Sequence, residues 1–311
     1  MPPSSPQPGA GPVVILAGGT GGAKLARGML DVVAPRELTV IANSGDDVEI
    51  YGAYVAPDAD LVTFWLADRI DERGWGLDGD SFAVMDGLRE LGLDVWFHLG
   101  DRDLAIGLQR AQALARGERL TAAHIAIVRA LGVAAQVLPA SDRPVRTRVM
   151  TGGRWLGFQE FMIRARAQGP VEDVAFHGIR AATPTPEALA AIAAARAIVI
   201  GPSNPVASIG PILELPGMRE ALRAAPAPVI AVSPLVAGQV LKGPTAAFMA
   251  HAGHSLDADG IAGYYAGVID GLVSDETTER VAVYETAMLM DTQTARRRLA
   301  AEALEFALSL R

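Results

Sequence analysis

Short runs of consecutive apolar residues recur along the chain: VVILA at Val13 to Ala17, LTVIA at Leu38 to Ala42, DVWFH at Asp94 to His98, AIVI at Ala197 to Ile200 and PVIAVS at Pro228 to Ser233. Longer segments with a helical period separate them. A run that is apolar at successive positions is buried on both faces, which is how a parallel strand covered by helices reads. The pattern predicts an α/β fold, Rossmann-like and doubly wound around a mostly parallel sheet. Between Pro144 and Gly178 the rhythm changes. RTRVMT, the pair Gly152-Gly153 and RWLGFQEF alternate around a two-glycine turn, and VEDVAFHG supplies a candidate third strand. A small antiparallel insertion at about 144–178 is therefore expected within a single domain spanning 12–311. The ending RRRLAAEALEFALSL reads as a helix. Residues 1–11 hold four prolines and no apolar pattern, and are expected to form a flexible tail.

Composition narrows the classes of function. With 27 Lys and Arg against 35 Asp and Glu, the net charge of −8 offers no general attraction to nucleic acid or to an anionic membrane. An anionic substrate must be held locally, by backbone amides, a few cations or a metal. The 311 residues contain no cysteine, which removes disulfides, thiolate zinc sites and cysteine nucleophiles. The opening MPPSSPQPGAG has neither a basic nor an apolar leader region, and no apolar run is long enough to span a bilayer. A cytoplasmic location is the expectation, and the apolar C-terminal segments suggest a homodimer.

The first strand runs into Gly18-Gly19-Thr20-Gly21-Gly22-Ala23-Lys24 and then into a helical segment. Glycines let backbone N–H groups approach an anion, and the helix N-terminus adds its dipole, so the loop reads as a phosphate cradle rather than a packing turn. It fits neither standard template. A Walker A loop requires a glycine at Ala23 and a hydroxyl at Leu25, and GxGxxG read from Gly19 meets Lys24 where its third glycine belongs. Lys24 is either a phosphate cation or a solvated lysine. A second ligand-facing loop, Gly201-Pro202-Ser203-Asn204-Pro205, follows the run AIVI, and Gly201, Ser203 and Asn204 are its binding candidates.

Three acidic clusters complete the constellation. Asn43-Ser44-Gly45-Asp46-Asp47 follows the second strand, and Asp46 and Asp47 are candidate magnesium ligands or a solvated turn. Asp58 and Asp60 precede the apolar stretch LVTFWLA, where one of them is expected as a helix N-cap. Gly100-Asp101-Arg102-Asp103 is either a local ion-pair knot or a guanidinium held for a ligand. His251 and His254 lack a third ligand and are read as structural, and His98 as a strand-end residue.

Taken together, GGTGGAKL, NSGDD, PDADLVTFWLAD, RGWG, LGDRDLA, LPASDRPVRT, GPSNPVASIGPIL and AVSPLV resemble the 2-phospho-L-lactate transferases of coenzyme F420 biosynthesis over Val13 to about Asp291. The resemblance implies transfer of a phosphoester unit from a guanosine diphosphate-linked three-carbon acid to the ribityl hydroxyl of the deazaflavin Fo, with GMP leaving and magnesium required. The acid is lactate, enolpyruvate or glycerate. The resemblance assigns Asp60 and Arg102 to the deazaflavin and Asp46 to metal and substrate handling, giving Asp46, Asp60 and Arg102 as catalytic candidates. Asn43 and Asp58 join them as substrate contacts. Ser44 and Val48-Glu49-Ile50 depart from the family pattern beside the acidic loop. Two rival classes fit the residues less well: a nucleotide-sugar-binding regulator of the gluconeogenesis-factor-like sister family, whose VADDGGS-type loop NSGDD followed by VEIYG does not resemble, and an NAD-dependent dehydrogenase, whose third glycine this loop lacks.

Overall fold

The computed structural model describes residues 11–310; the tail expected before Gly11 lies outside them. Seven strands form the central sheet: β1 (Val13–Ala17), β2 (Leu38–Ala42), β3 (Gln136–Pro139), β4 (Ala197–Ile200), β5 (Val229–Val232), β6 (Gly271–Ser274) and β7 (Ala282–Glu285). Their spatial order is β7-β6-β5-β4-β1-β2-β3, and every neighbouring pair is parallel. The chain lays β2 and β3 to one side of β1, then returns to lay β4 to β7 on the other. The fold is thus the doubly wound α/β class, with its topological switch between β1 and β4. In such sheets the crevice beyond the carboxyl ends of the switch strands is where ligands sit.

Alternation along β1 shows why a wholly apolar strand is required. Val13, Ile15 and Ala17 join one buried cluster with Leu25, Met29, Val62 and Leu299. Val14 and Leu16 point the other way, toward Phe161, Ile212, Leu222 and Phe248. Each of the four larger side chains buried from this strand, Val13, Val14, Ile15 and Leu16, stabilises the fold by about 2 kcal/mol, and no position is left for a polar residue. On the first face lie helices α1 (Gly19–Met29), α2 (Pro57–Leu66) and the C-terminal α5 (Gln293–Ser309). Two further helices, α3 (Asp101–Ala115) and α4 (Leu120–Ala130), belong to the long crossover between β2 and β3.

That crossover departs from the sequence expectation. Asp94–His98 is not a strand. Its apolar residues instead feed a satellite core in which Phe97 and Leu99 pack with Ala53, Val55, Met85 and Leu104, apart from the main sheet. A hairpin, Val48–Ile50 with Ala53–Val55, provides the other wall of that core. The three strands not anticipated in the sheet are β3, β6 and β7. The insertion contains a three-stranded antiparallel sheet, with Arg146–Thr151 between Arg154–Gly157 and Asp173–His177. After Gly157 the segment FQEF turns into a short π-helical stretch, Glu160–Arg164, instead of extending the strand.

Candidate functional site

The two glycine-bearing loops meet at the switch point. The Gly18 amide donates to Ser203 Oγ at 3.2 Å, and Gly201 N–H donates to the Leu16 carbonyl at 2.9 Å. A Cβ on Gly21 would lie 1.9 Å from the Pro202 carbonyl oxygen, and one on Gly22 would lie 2.8 Å from Ser203 Oγ. Glycine is therefore required here so that the two loops can touch backbone to backbone. Helix α1 starts at Gly19, whose φ of +61° is a left-handed conformation. The helix begins directly beyond the carboxyl end of β1, so its first turn, with Thr20 and Gly21, places there backbone amides that a helix leaves without intrahelical acceptors. Asn204 shapes the second loop: its side-chain oxygen accepts from the Val206 and Ala207 amides at 3.0 Å each.

An acid from another helix reaches into this cradle. Asp58 does not cap its own helix, since α2 begins at Pro57 after Ala56 with no side-chain cap. Its Oδ1 accepts from the Gly19 amide at 2.6 Å, and its Oδ2 from Asn43 Nδ2 at 2.9 Å. Asn43 in turn accepts from the Gly45 amide at 2.7 Å, which ties the acidic loop to the glycine loop through one carboxylate. Burial pushes the Asp58 carboxyl up to about 6, against the pull of those hydrogen bonds. Asp46 lies alongside: burial and then the Asp58 charge raise it well above the usual carboxylate range, and its Oδ1 is buried without a hydrogen-bond partner.

Asp47 points elsewhere. Tyr54 donates its hydroxyl to Asp47 Oδ2 at 2.9 Å, and the Arg146 guanidinium sits over the Tyr54 ring at 5.4 Å. Burial still lifts Asp47 to about 7, although Arg146 draws it down. The two neighbouring acids expected as a metal pair are thus divided: Asp46 faces another carboxylate, Asp47 faces cations. A hard divalent cation fits the Asp46 and Asp58 side, where buried carboxylate oxygens lack positive charge. Among the described residues no three acid or histidine side chains are grouped to hold an ion alone, so any such ion must draw further ligands from substrate oxygens or water.

The acceptor candidates Asp60 and Arg102 sit two residues beyond Asp58 on α2 and in the first turn of α3. Asp60 forms an ion pair with Arg110, and its Oδ2 accepts from the Ala56 amide at 3.4 Å. Arg102 does not form a knot with its neighbours. Its Nη1 donates to the Asp78 carbonyl at 3.2 Å and its backbone amide to Asp80 Oδ1 at 2.9 Å. Asp101 instead caps the helix Ala83–Glu90, accepting from the Ala83 and Val84 amides at 3.1 and 3.0 Å. Asp103 is mostly buried, and burial followed by the charges of Asp60 and Asp80 pushes it up to about 8. Lys24 lies over the face of Trp65 at 5.9 Å, with Arg296 on the same ring at 5.2 Å. Burial and the nearby cations Lys242 and Arg296 lower its pKa.

Buried polar side-chain atoms are normally hydrogen-bonded. Several that are not belong to this neighbourhood: Asp46 Oδ1, Asp47 Oδ1, Asp103 Oδ1, Thr147 Oγ1 and Arg110 Nε. Arg110, Arg146 and Tyr54 were not singled out from the sequence. The one signal for Arg110 was a charged residue on an otherwise apolar helix face, three positions after Gly107.

The arrangement defines an α/β protein of the doubly wound class, with two glycine-bearing loops joined at its switch point and a carboxylate-rich wall beside them. The family profile described as 2-phospho-L-lactate transferase CofD matches residues 13–307. The chain belongs to that transferase family. It is 37% identical over 265 residues to a 2-phospho-L-lactate transferase of Methanosarcina mazei, covering 85% of this chain and 87% of the relative. It is 40% identical over 284 residues to a phosphoenolpyruvate transferase of Kitasatospora aureofaciens, covering 88% of each. A solved structure of a upf0052 family member from Bacillus halodurans shares the fold, with a TM-score of 0.55 and 20% identity over 87% of this chain and 82% of that one.

Proposed function

We propose that this protein transfers a phospholactate-type unit to the deazaflavin Fo in coenzyme F420 biosynthesis, taking it from a guanosine diphosphate-linked three-carbon acid and releasing GMP. The observation that carries the reading is the junction of Gly18, Gly19, Ser203 and Asp58, where a helix N-terminus, two glycine loops and a carboxylate wall converge on one crevice. The ribityl hydroxyl attacks the phosphorus that bears the three-carbon acid. A new P–O bond forms to the ribityl oxygen, the P–O bond to GMP breaks with its electron pair going to the GMP phosphate oxygen, and the hydroxyl proton is released to solvent.

The first-turn amides of α1 hold phosphate oxygens as charge moves onto the leaving GMP. Asp46 and Asp58 would hold magnesium, which when bound offsets the negative charge of the diphosphate. Arg102, whose Nη1 donates to the Asp78 carbonyl, is read as a contact for the acceptor. Asp60 is read as orienting the acceptor, because both of its carboxylate oxygens are held by the Arg110 guanidinium.

Incubation of the protein with Fo, magnesium and the lactate-, enolpyruvate- or glycerate-bearing guanosine donor, with product mass as readout, tests the reading and identifies the donor. Transfer from none of the three overturns it. Replacing Asp60 by Asn is expected to lower turnover about 100-fold without loss of fold; unchanged turnover removes Asp60 from the acceptor site. GDP or GMP with magnesium is expected to raise the melting temperature, by about 2.7 kcal/mol of stabilisation at 100 times Kd. A rise with UDP-sugars alone favours a nucleotide-sugar-binding regulator.

A further inference from the structure

We propose that Arg110 is a positioning residue for the acceptor half of the transfer, holding the Asp60 carboxylate in one orientation through a buried four-residue relay. The inference rests on the reading above that Asp60 meets the acceptor. Arg110 has no exposed surface, whereas the Asp60 side chain keeps 11%. The pair is therefore one-sided: the cation is interior, and the carboxylate presents an edge to ligand. Arg110 Nη1 donates to the Tyr54 carbonyl at 2.8 Å and to Asp60 Oδ2 at 3.1 Å, while Nη2 binds Asp60 Oδ1 and faces His124 Nδ1 at 3.3 Å.

The relay has one consistent set of protons. The Thr63 hydroxyl donates to the Ala59 carbonyl at 2.8 Å, which uses its single hydrogen. His124 Nε2, 3.3 Å from Thr63 Oγ1, must then carry the imidazole proton, leaving Nδ1 as a lone pair aimed at Arg110. Burial and the Arg110 charge keep the ring neutral by lowering its pKa. Four elements meet at the guanidinium: the strand Ala53–Val55, α2, α3 and α4. Gly107 makes this possible, since a Cβ there would press on Ala53 Cβ at 3.0 Å and on the Tyr54 carbonyl oxygen at 3.2 Å.

A buried ion pair seldom adds stability over well-packed apolar residues, because desolvation offsets the attraction. What it supplies here is direction. Two guanidinium nitrogens gripping both carboxylate oxygens fix the plane of the Asp60 carboxylate, and His124 fixes the guanidinium in turn.

The test compares the Arg110→Lys, His124→Leu, His124→Asn and Asp60→Asn proteins with the parent. Fo affinity is read by its fluorescence, and KM for donor and acceptor is measured separately with kcat. Arg110→Lys keeps the charge and loses the two-pronged grip, and is expected to weaken Fo binding about tenfold, with donor KM within about twofold. Combining it with Asp60→Asn is expected to add little, because both act through one carboxylate. Asn at position 124 offers an acceptor near the Nδ1 position and is expected to restore much of what His124→Leu loses. Equal losses for donor and acceptor, or additive effects of Arg110→Lys and Asp60→Asn, overturn the relay. If Arg110→Lys does not fold, the His124 pair decides: Fo affinity equal to the parent in both variants overturns the proposal. Parent-like Fo affinity in Asp60→Asn alone refutes instead the acceptor reading of Asp60.

Discussion

At the scale of single residues, the site depends on side chains that are missing as much as on those present. Alanine at Gly21 places a methyl against the Pro202 carbonyl, a backbone atom that cannot swing away. Gly21→Ala is expected to cost about 1–3 kcal/mol and to abolish the melting shift given by GDP, both read from thermal unfolding. Asp58 provides a pH test. A carboxyl whose native pKa of about 6 lies above its usual 3.8 binds its proton more tightly when folded. The folded state then holds more protons than the unfolded state across that interval, so stability falls as pH rises through it. Asp46 and Asp47 act in the same direction. Asp58→Asn is expected to flatten the fall in melting temperature between about pH 4 and pH 7, and magnesium to restore stability chiefly at the upper end. An undiminished slope in the variant removes Asp58 from the titration.

Among the elements, those legible in the sequence were the ones whose surroundings demand a single pattern. The strands β1, β2, β4 and β5 are buried throughout, and apolar at every position but Thr39, because helices cover both faces. Asp94–His98 carries a similar run for another reason: its aromatics fill the satellite core, which asks for apolar side chains but offers no sheet edge. The strands β3, β6 and β7 escaped notice because they are short and irregular in composition. QVLP ends in proline, GLVS opens on glycine, and AVYE is a largely exposed edge. Helix α5 was legible from its period, yet its seat was not. Gly28 of α1 lets the α5 backbone approach until an added Cβ would stand 2.3 Å from the Arg296 carbonyl oxygen. Gly28→Ala is expected to lower the urea midpoint by about 1–3 kcal/mol of stability at an unchanged denaturant slope. The glycine loops of the site were legible for the same local reason, being contiguous. The pairings of Asp58 with Gly19 and of Asp60 with Arg110 span 39 and 50 positions, and only the folded chain brings them together.

For the molecule as a whole, the crossover between β2 and β3 sets apart a region built unlike the rest. The main sheet is gripped by two extended apolar clusters, one per face. The satellite core, by contrast, rests on six buried residues, Ala53, Val55, Met85, Phe97, Leu99 and Leu104, under an outer surface where Trp75 and Leu91 are exposed. Regions with few buried contacts open locally at a free energy well below that of global unfolding. Amide exchange is expected to reflect this. The segment from about residue 71 to residue 100 exchanges first, at rates insensitive to mild denaturant, while Val13–Ala17 exchanges only with the whole chain. Fo is expected to slow exchange in the first segment far more than a guanosine nucleotide does. The wall proposed for the acceptor would then breathe on its own, and a bulky ring system could enter and leave while the central sheet beside it stays closed.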